Sequence, residues 1–119
     1  MSGYGSAEVF SLQEVPSPIP HEGEIRIRVK ASGFNPVDWK IREGWYGGPP
    51  PKILGMDCSG IVDAVGPNTP QFDIGDEVYA MSFFRSSGGS YTQTSCRIGN
   101  LPTPKAPDLI SKKQAHYWI

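Results

Sequence analysis

Cysteine is scarce: Cys58 and Cys96 are the only two in 119 residues. Two thiols are too few for a disulfide framework, so reduced thiols in a cytosolic protein are the default expectation, with one bridge left open. There is no C-x-x-C, and His21 and His116 lie far apart, so a structural zinc site has nothing to be built from. No apolar run approaches the ~20 residues that a bilayer-spanning helix requires. The opening MSGYGSAEVF has neither the basic nor the apolar region of a secretory signal. A formal net charge of -1 gives no bulk attraction to nucleic acid or to an anionic membrane. A G-x-G-x-x-G turn, the dinucleotide-binding signature, occurs nowhere.

Glycine and proline, by contrast, are plentiful, at 14 and 12 residues. Interspersed with short alternating segments, they favour a turn-rich, mainly β domain with short helices. The length suits one domain with one core.

The chain is organised around Pro51–Gly66, PKILGMDCSGIVDAVG. Its apolar entry, Ile53-Leu54, leads into a Gly-rich bend over Gly55–Gly60, then a strand over Ile61–Val65. The bend sets Asp57 between two glycines, where backbone can turn sharply or approach a neighbour closely. Before it, Glu24–Ala31 alternates strictly: Ile25, Ile27, Val29 and Ala31 on one face, Glu24, Arg26, Arg28 and Lys30 on the other. That is a half-exposed strand with a solvated charged face. Glu8–Val15 alternates less well and is expected as a strand ended by Pro16, Pro18 and Pro20. Glu77–Met81 and Ser90–Ile98 read as further strands. Gly88-Gly89 and Tyr91 are expected to shape a hairpin, and Asp76 a turn.

Asn35–Gly44 carries helix punctuation: Asn35 as N-cap, Pro36 at the first helical position and Gly44 as the stop. Its charges Lys40 and Arg42 are most simply solvated. Past the proline-rich connector Leu101–Pro107, Ser111-Lys112-Lys113-Gln114 has the form of a capping box and predicts a helix start.

Four ordered segments, SGFNPVDWKIREG, PKILGMDCSGIVDAVG, FDIGDEVYAM and GGSYTQ, together carry a specific resemblance. From about Tyr4 to Ile119 the chain resembles the N-terminal catalytic domain of medium-chain dehydrogenase/reductases, the GroES-like domain. The closest branch is similar to the zinc-independent quinone oxidoreductases and enone reductases. The resemblance implies a partly open β-barrel over residues 1–110, lacking the usual first strand and so leaving Glu8–Val15 an unpaired edge. Residues 111–119 would begin a linker helix toward a dinucleotide-binding domain that this chain does not include.

In the zinc-dependent relatives the position of Asn35 holds a zinc-binding Cys, that of Met56 a zinc-binding His, and that of Val37 a hydroxyl for proton relay. The resemblance therefore implies hydride transfer without metal. Asn35 would lie near nicotinamide and substrate, Tyr46 would line the substrate pocket, and Asp38 and Asp57 would shape the cleft, with Asp38 on the cofactor side. Asn35 and Tyr46 are the implied catalytic pair. The implied cofactor is NADPH, held mainly by the other domain, and the implied substrates are quinones or α,β-unsaturated carbonyls. The intact enzyme would be a homodimer. A standalone GroES-like binding or scaffolding module is the competing reading, and a non-functional remnant the third.

Overall fold

A computed structural model describes residues 1–81 and 89–92 in full and the backbone of 96–98 and 109–110. The expected Ser111 helix, the proline-rich connector and Gly88 lie outside the described residues. Five strands form one antiparallel sheet: β1 (Ile25–Ser32), β2 (Asp57–Val65), β3 (Glu77–Met81), β4 (Cys96–Ile98) and β5 (Leu109–Ile110). Their spatial order is β4-β1-β2-β3-β5. Among the described residues the sheet stays open, with β4 and β5 at its ends. One helix, α1 (Pro36–Arg42), lies between β1 and β2 in sequence.

The strict alternation of β1 is realised as burial. Ile25 and Ile27 are sealed, Val29 is half-buried, and Arg28 and Lys30 face solvent. Ile25 and Ile27 join Cys58 and Val62 of β2 and Val78 and Ala80 of β3 in the core, with Val65 and Phe72 packed on its flank. Each fully buried Ile or Val contributes roughly 1.5–3 kcal/mol by leaving water. On the solvated face, Arg26 Nε pairs with Asp63 Oδ1 at 2.7 Å across β1 and β2. The same guanidinium donates to the Pro18 carbonyl.

Helix α1 follows its punctuation. Asn35 is the extended N-cap, Pro36 occupies the first turn, and Gly44 adopts φ +85° just past the end. A side chain there would be strained, and the Tyr4 ring already fills the space where its Cβ would stand. Asp38 and Ile41 are the residues that α1 buries.

Three expectations need correction. Glu8–Val15 forms no strand: Ala7–Val9 makes a single 3-10 turn, and the chain then runs without secondary structure through the prolines. A strand needs a partner, and along Ile25–Ile27 β1 is already paired on one side with β2 and on the other with β4. Leu12 accordingly stands 87% exposed. Second, the Gly-rich segment is not a bend as far as Gly60. The turn is confined to Gly55 at φ +97°, and β2 already begins at Asp57. Gly60 is a strand glycine whose purpose is closeness, since a Cβ there would stand 2.1 Å from the Arg28 carbonyl oxygen. Third, the strand expected over Ser90–Ile98 is confirmed only at Cys96–Ile98. Ser90 to Thr92 is a loop strapped to the Leu54-Gly55 corner.

Gly60 yields a direct test. Gly60→Ala drives a methyl into the β1 backbone and is expected to cost about 3 kcal/mol or more. Gly3→Ala, with nothing within 4 Å of its Cβ, should leave the denaturation midpoint unchanged. Urea unfolding of both variants measures the difference.

Candidate functional site

The site forms where β1 ends, α1 begins and β2 starts. Ser32 pairs with Cys58 at the last register position of β1 on β2, bringing the next residues against Asp57. The Asp57 carbonyl accepts the Ser32 hydroxyl at 2.9 Å and the Gly33 N–H at 3.2 Å. Its carboxylate accepts one N–H of the Asn35 amide at 2.6 Å. Gly33 leaves room for this, since its Cβ would stand 3.2 Å from Asp57 Oδ2.

The second carboxyl grips Asn35 through its backbone. Asp38 is 1% exposed, and its Oδ2 accepts the Asn35 N–H at 2.7 Å. The Asp38 N–H donates in turn to the Asn35 carbonyl at 2.9 Å. Asn35 is thus held at main chain and side chain by two acids. An amide carries two N–H donors, so one remains after Asp57 has taken the other.

Tyr91 completes the cluster. Burial pushes its pKa well above the ordinary phenol value, and the Asp38 carboxyl, then Asp57, raise it further. The Tyr91 N–H donates to the Leu54 carbonyl at 2.8 Å, and Ser90 meets Ser32 hydroxyl to hydroxyl at 2.7 Å. Sequence reasoning assigned Tyr91 to a hairpin and missed this place. The available signal was indirect: a Cβ at Gly55 would strike the Ser90 and Tyr91 side chains, and one at Gly89 would strike the Leu54 backbone.

Of the expected site residues, Asn35, Asp38 and Asp57 come together, with half-buried Met56 adjacent in sequence. Tyr46 stands apart, 58% exposed, in the loop beyond the opposite end of α1. Lys40 and Arg42 are engaged elsewhere. Lys40 Nζ lies 5.6 Å and 5.5 Å from the ring centres of Trp39 and Trp45, and Arg42 Nε donates to the Gly5 carbonyl at 3.1 Å. Asp76 caps its own turn by accepting the Asp73 N–H at 3.1 Å. Among the described residues no three His, Cys, Asp or Glu side chains cluster as metal ligands, and no helix is long and apolar enough to cross a membrane.

The antiparallel sheet and the short helix that follows β1 match a known domain class. The alcohol dehydrogenase GroES-like domain family matches residues 21–103, and the chain belongs to this family. Within it the chain is quinone oxidoreductase-like, a member of the medium-chain dehydrogenase/reductase superfamily. It is 39% identical to human quinone oxidoreductase over 114 residues, which cover 93% of the chain and 33% of that protein. It is 40% identical to the mouse synaptic vesicle membrane protein VAT-1 homolog-like over 82 residues, 67% of the chain and 20% of that protein. Among solved structures, the Escherichia coli quinone oxidoreductase complexed with NADPH superposes with a TM-score of 0.71 at 31% identity, over 87% of this chain and 32% of that one. The chain therefore spans a third or less of the length of these three relatives.

The raised phenol pKa sets a pH dependence. A group whose folded pKa lies above its unfolded value stabilises the fold fully below the unfolded value and loses that contribution as pH climbs through the folded one. Stability should fall steeply above about pH 10, the ordinary phenol value. Tyr91→Phe should flatten that alkaline limb in thermal melts. A smaller slope will persist from Tyr79, whose pKa desolvation also raises.

Proposed function

We propose that this chain is the substrate-side domain of an NAD(P)H-dependent quinone or enone oxidoreductase working by hydride transfer without metal. The observation that carries the reading is Asn35, clamped by Asp57 and Asp38, with a second amide N–H beyond the one that Asp57 takes among the described residues. That N–H suits a carbonyl oxygen on which negative charge grows, and a fixed donor requires no reorganisation as the charge develops. The amide that pairs with Asp57 stands where zinc-dependent members of the superfamily place a thiolate ligand, which favours the metal-free route.

The residues present fit the nicotinamide end of a dinucleotide only in part. Asn35 and the half-buried ground around Asp57 can meet a carboxamide or a substrate carbonyl, but the sequence has no G-x-G-x-x-G turn to hold a pyrophosphate. When bound, the nicotinamide supplies the hydride. The chain's own part is to orient the acceptor carbonyl and to stabilise the charge left on its oxygen. Tyr46, on its exposed loop, contributes a wall to the substrate side, and Asp38 serves the cofactor side through its hold on the Asn35 backbone.

The reading also takes the chain to be a fragment whose partner domain grips NADPH, in a cytosolic, homodimeric enzyme. NADPH is preferred over NADH because a solved relative holds it. A fluorescence titration with NADPH tests this. The 119-residue chain should show no saturable binding, whereas the chain joined to its dinucleotide-binding domain should bind NADPH and oxidise it with a quinone. In that longer protein Asn35→Ala should lower kcat by roughly 100-fold, the effect of removing one fixed oxyanion donor. Quinone turnover by the short chain alone, or an Asn35→Ala enzyme of full activity, would sink the proposal.

A further inference from the structure

Two polar atoms at this corner are sealed from solvent without closing a hydrogen bond: Asp38 Oδ1 and the Tyr91 hydroxyl. Folded proteins rarely leave such groups unpaired unless something else fixes them in place. Backbone and ring packing fix Tyr91. Its N–H is tied to Leu54, its neighbour Ser90 donates its N–H to the Gly55 carbonyl at 3.1 Å, and the Phe10 ring lies 6.4 Å from its own. Gly55 makes room for the ring, since a Cβ there would stand 2.5 Å from Tyr91 Cδ1. The phenol is thus delivered to Asp38 by its surroundings, and the carboxyl lies within its electrostatic and hydrogen-bonding reach.

Asp38 has little freedom of its own. Its Oδ2 is spent on the Asn35 N–H, so Oδ1 is the oxygen that remains for the phenol. The two oxygens belong to one rigid carboxyl plane, so a donor set against Oδ1 fixes the angle at which Oδ2 meets Asn35. Asp57, the other charged group that the phenol senses, holds the Asn35 amide from the opposite side. Every route from Tyr91 through a charged group ends on the same asparagine.

We propose that Tyr91 is a positioning residue for Asn35, acting through the buried Asp38 carboxyl. The inference deepens the functional reading above and rests on it for its consequence, because Asn35 is there the group that meets the substrate carbonyl. The hydroxyl touches neither substrate nor cofactor. It sets the direction in which Asn35 is presented to them.

The test uses the 119-residue chain, isotopically labelled for NMR, with no nucleotide or quinone present. Tyr91→Phe keeps the ring and removes only the hydroxyl. The backbone and side-chain amide signals of Asn35 should then move toward those of an unconstrained asparagine, and its backbone N–H should exchange with solvent roughly 10-fold faster. Signals from the core residues Ile27, Val62 and Val78 should stay in place. Unmoved Asn35 signals in a folded Tyr91→Phe chain overturn the proposal. If that variant does not fold, the unsubstituted chain gives the reading. As pH rises beyond 10, and while the Ile27, Val62 and Val78 methyl signals still report the folded chain, the Asn35 side-chain carbonyl carbon should shift together with the Tyr91 ring signals, and an Asn35 silent to that ionisation overturns the proposal equally. No turnover is measured, so a failure of quinone reduction and a failure of this coupling are separate results.

Discussion

Asp57 is the residue on which the fold and the site both depend. Its backbone opens β2, its carbonyl receives Ser32 and Gly33, and its carboxylate receives the Asn35 amide. Strand register thereby becomes site geometry. The pairing of β1 with β2 fixes where Asp57 stands, and Asp57 fixes the first residue of the segment that becomes α1. A slip of one residue would turn every side chain to the opposite face and carry the carboxylate away from Asn35. Irregularities between Arg26 and Ile27 and between Val29 and Ala31 alter the register along the way. The two ends of β1 therefore need not share one pleat.

That shift matches a change in chemistry along the strands. At one end of β1 and β2 the buried residues are Ile25, Ile27 and Val62. At the other they include Cys58 and the polar pair Ser59 and Ser90, with the exposed Ser32 meeting Ser90 hydroxyl to hydroxyl at 2.7 Å. The apolar end supplies the stabilisation from burial. The polar end needs close backbone approach instead, because short hydrogen bonds to carbonyls leave no room for side chains. The glycines are distributed accordingly. Gly33 lies against the Asp57 carboxylate, Gly55 against Ser90 and Tyr91, and Gly89 against the Leu54 carbonyl. A Cβ at any of these would push apart the surfaces that hold Asn35.

How much could be read from residues alone follows from which forces are local. β1 and β3 were legible because period-two alternation already records which face is buried. Helix α1 was legible because Asn35, Pro36 and Gly44 each satisfy a backbone requirement within their own turn. Glu8–Val15 misled because its alternation says nothing about whether a sheet edge is available, and among the described residues no strand pairs with it. Gly60 misled for a related reason: a glycine that turns the chain and one that admits a neighbouring carbonyl look identical in sequence. The meeting of Asn35 with Asp57 was expected only as two walls of one cleft, not as a direct hydrogen bond. Tyr91 was out of reach altogether. Its role arises from a loop 34 positions after Asp57, and no local periodicity encodes that crossing.

Tyr46 raises a different question, about distance. Asn35 caps one end of α1 and Tyr46 follows the other, and seven helical residues separate such ends by about 10 Å. The loop bearing Tyr46 is moreover tied down from outside the site. The Tyr4 hydroxyl donates to the Gly48 carbonyl at 2.5 Å and to that of Gly47 at 3.2 Å, while the Gly5 N–H donates to the Arg42 carbonyl at 3.0 Å. Asn35 and Tyr46 thus sit at opposite ends of α1. If both serve a substrate, Asn35 acts at the reacting carbonyl and Tyr46 meets a part of the molecule about two helical turns away. The N-terminal residues Tyr4 and Gly5, about 40 positions away in sequence, hold the loop that carries Tyr46.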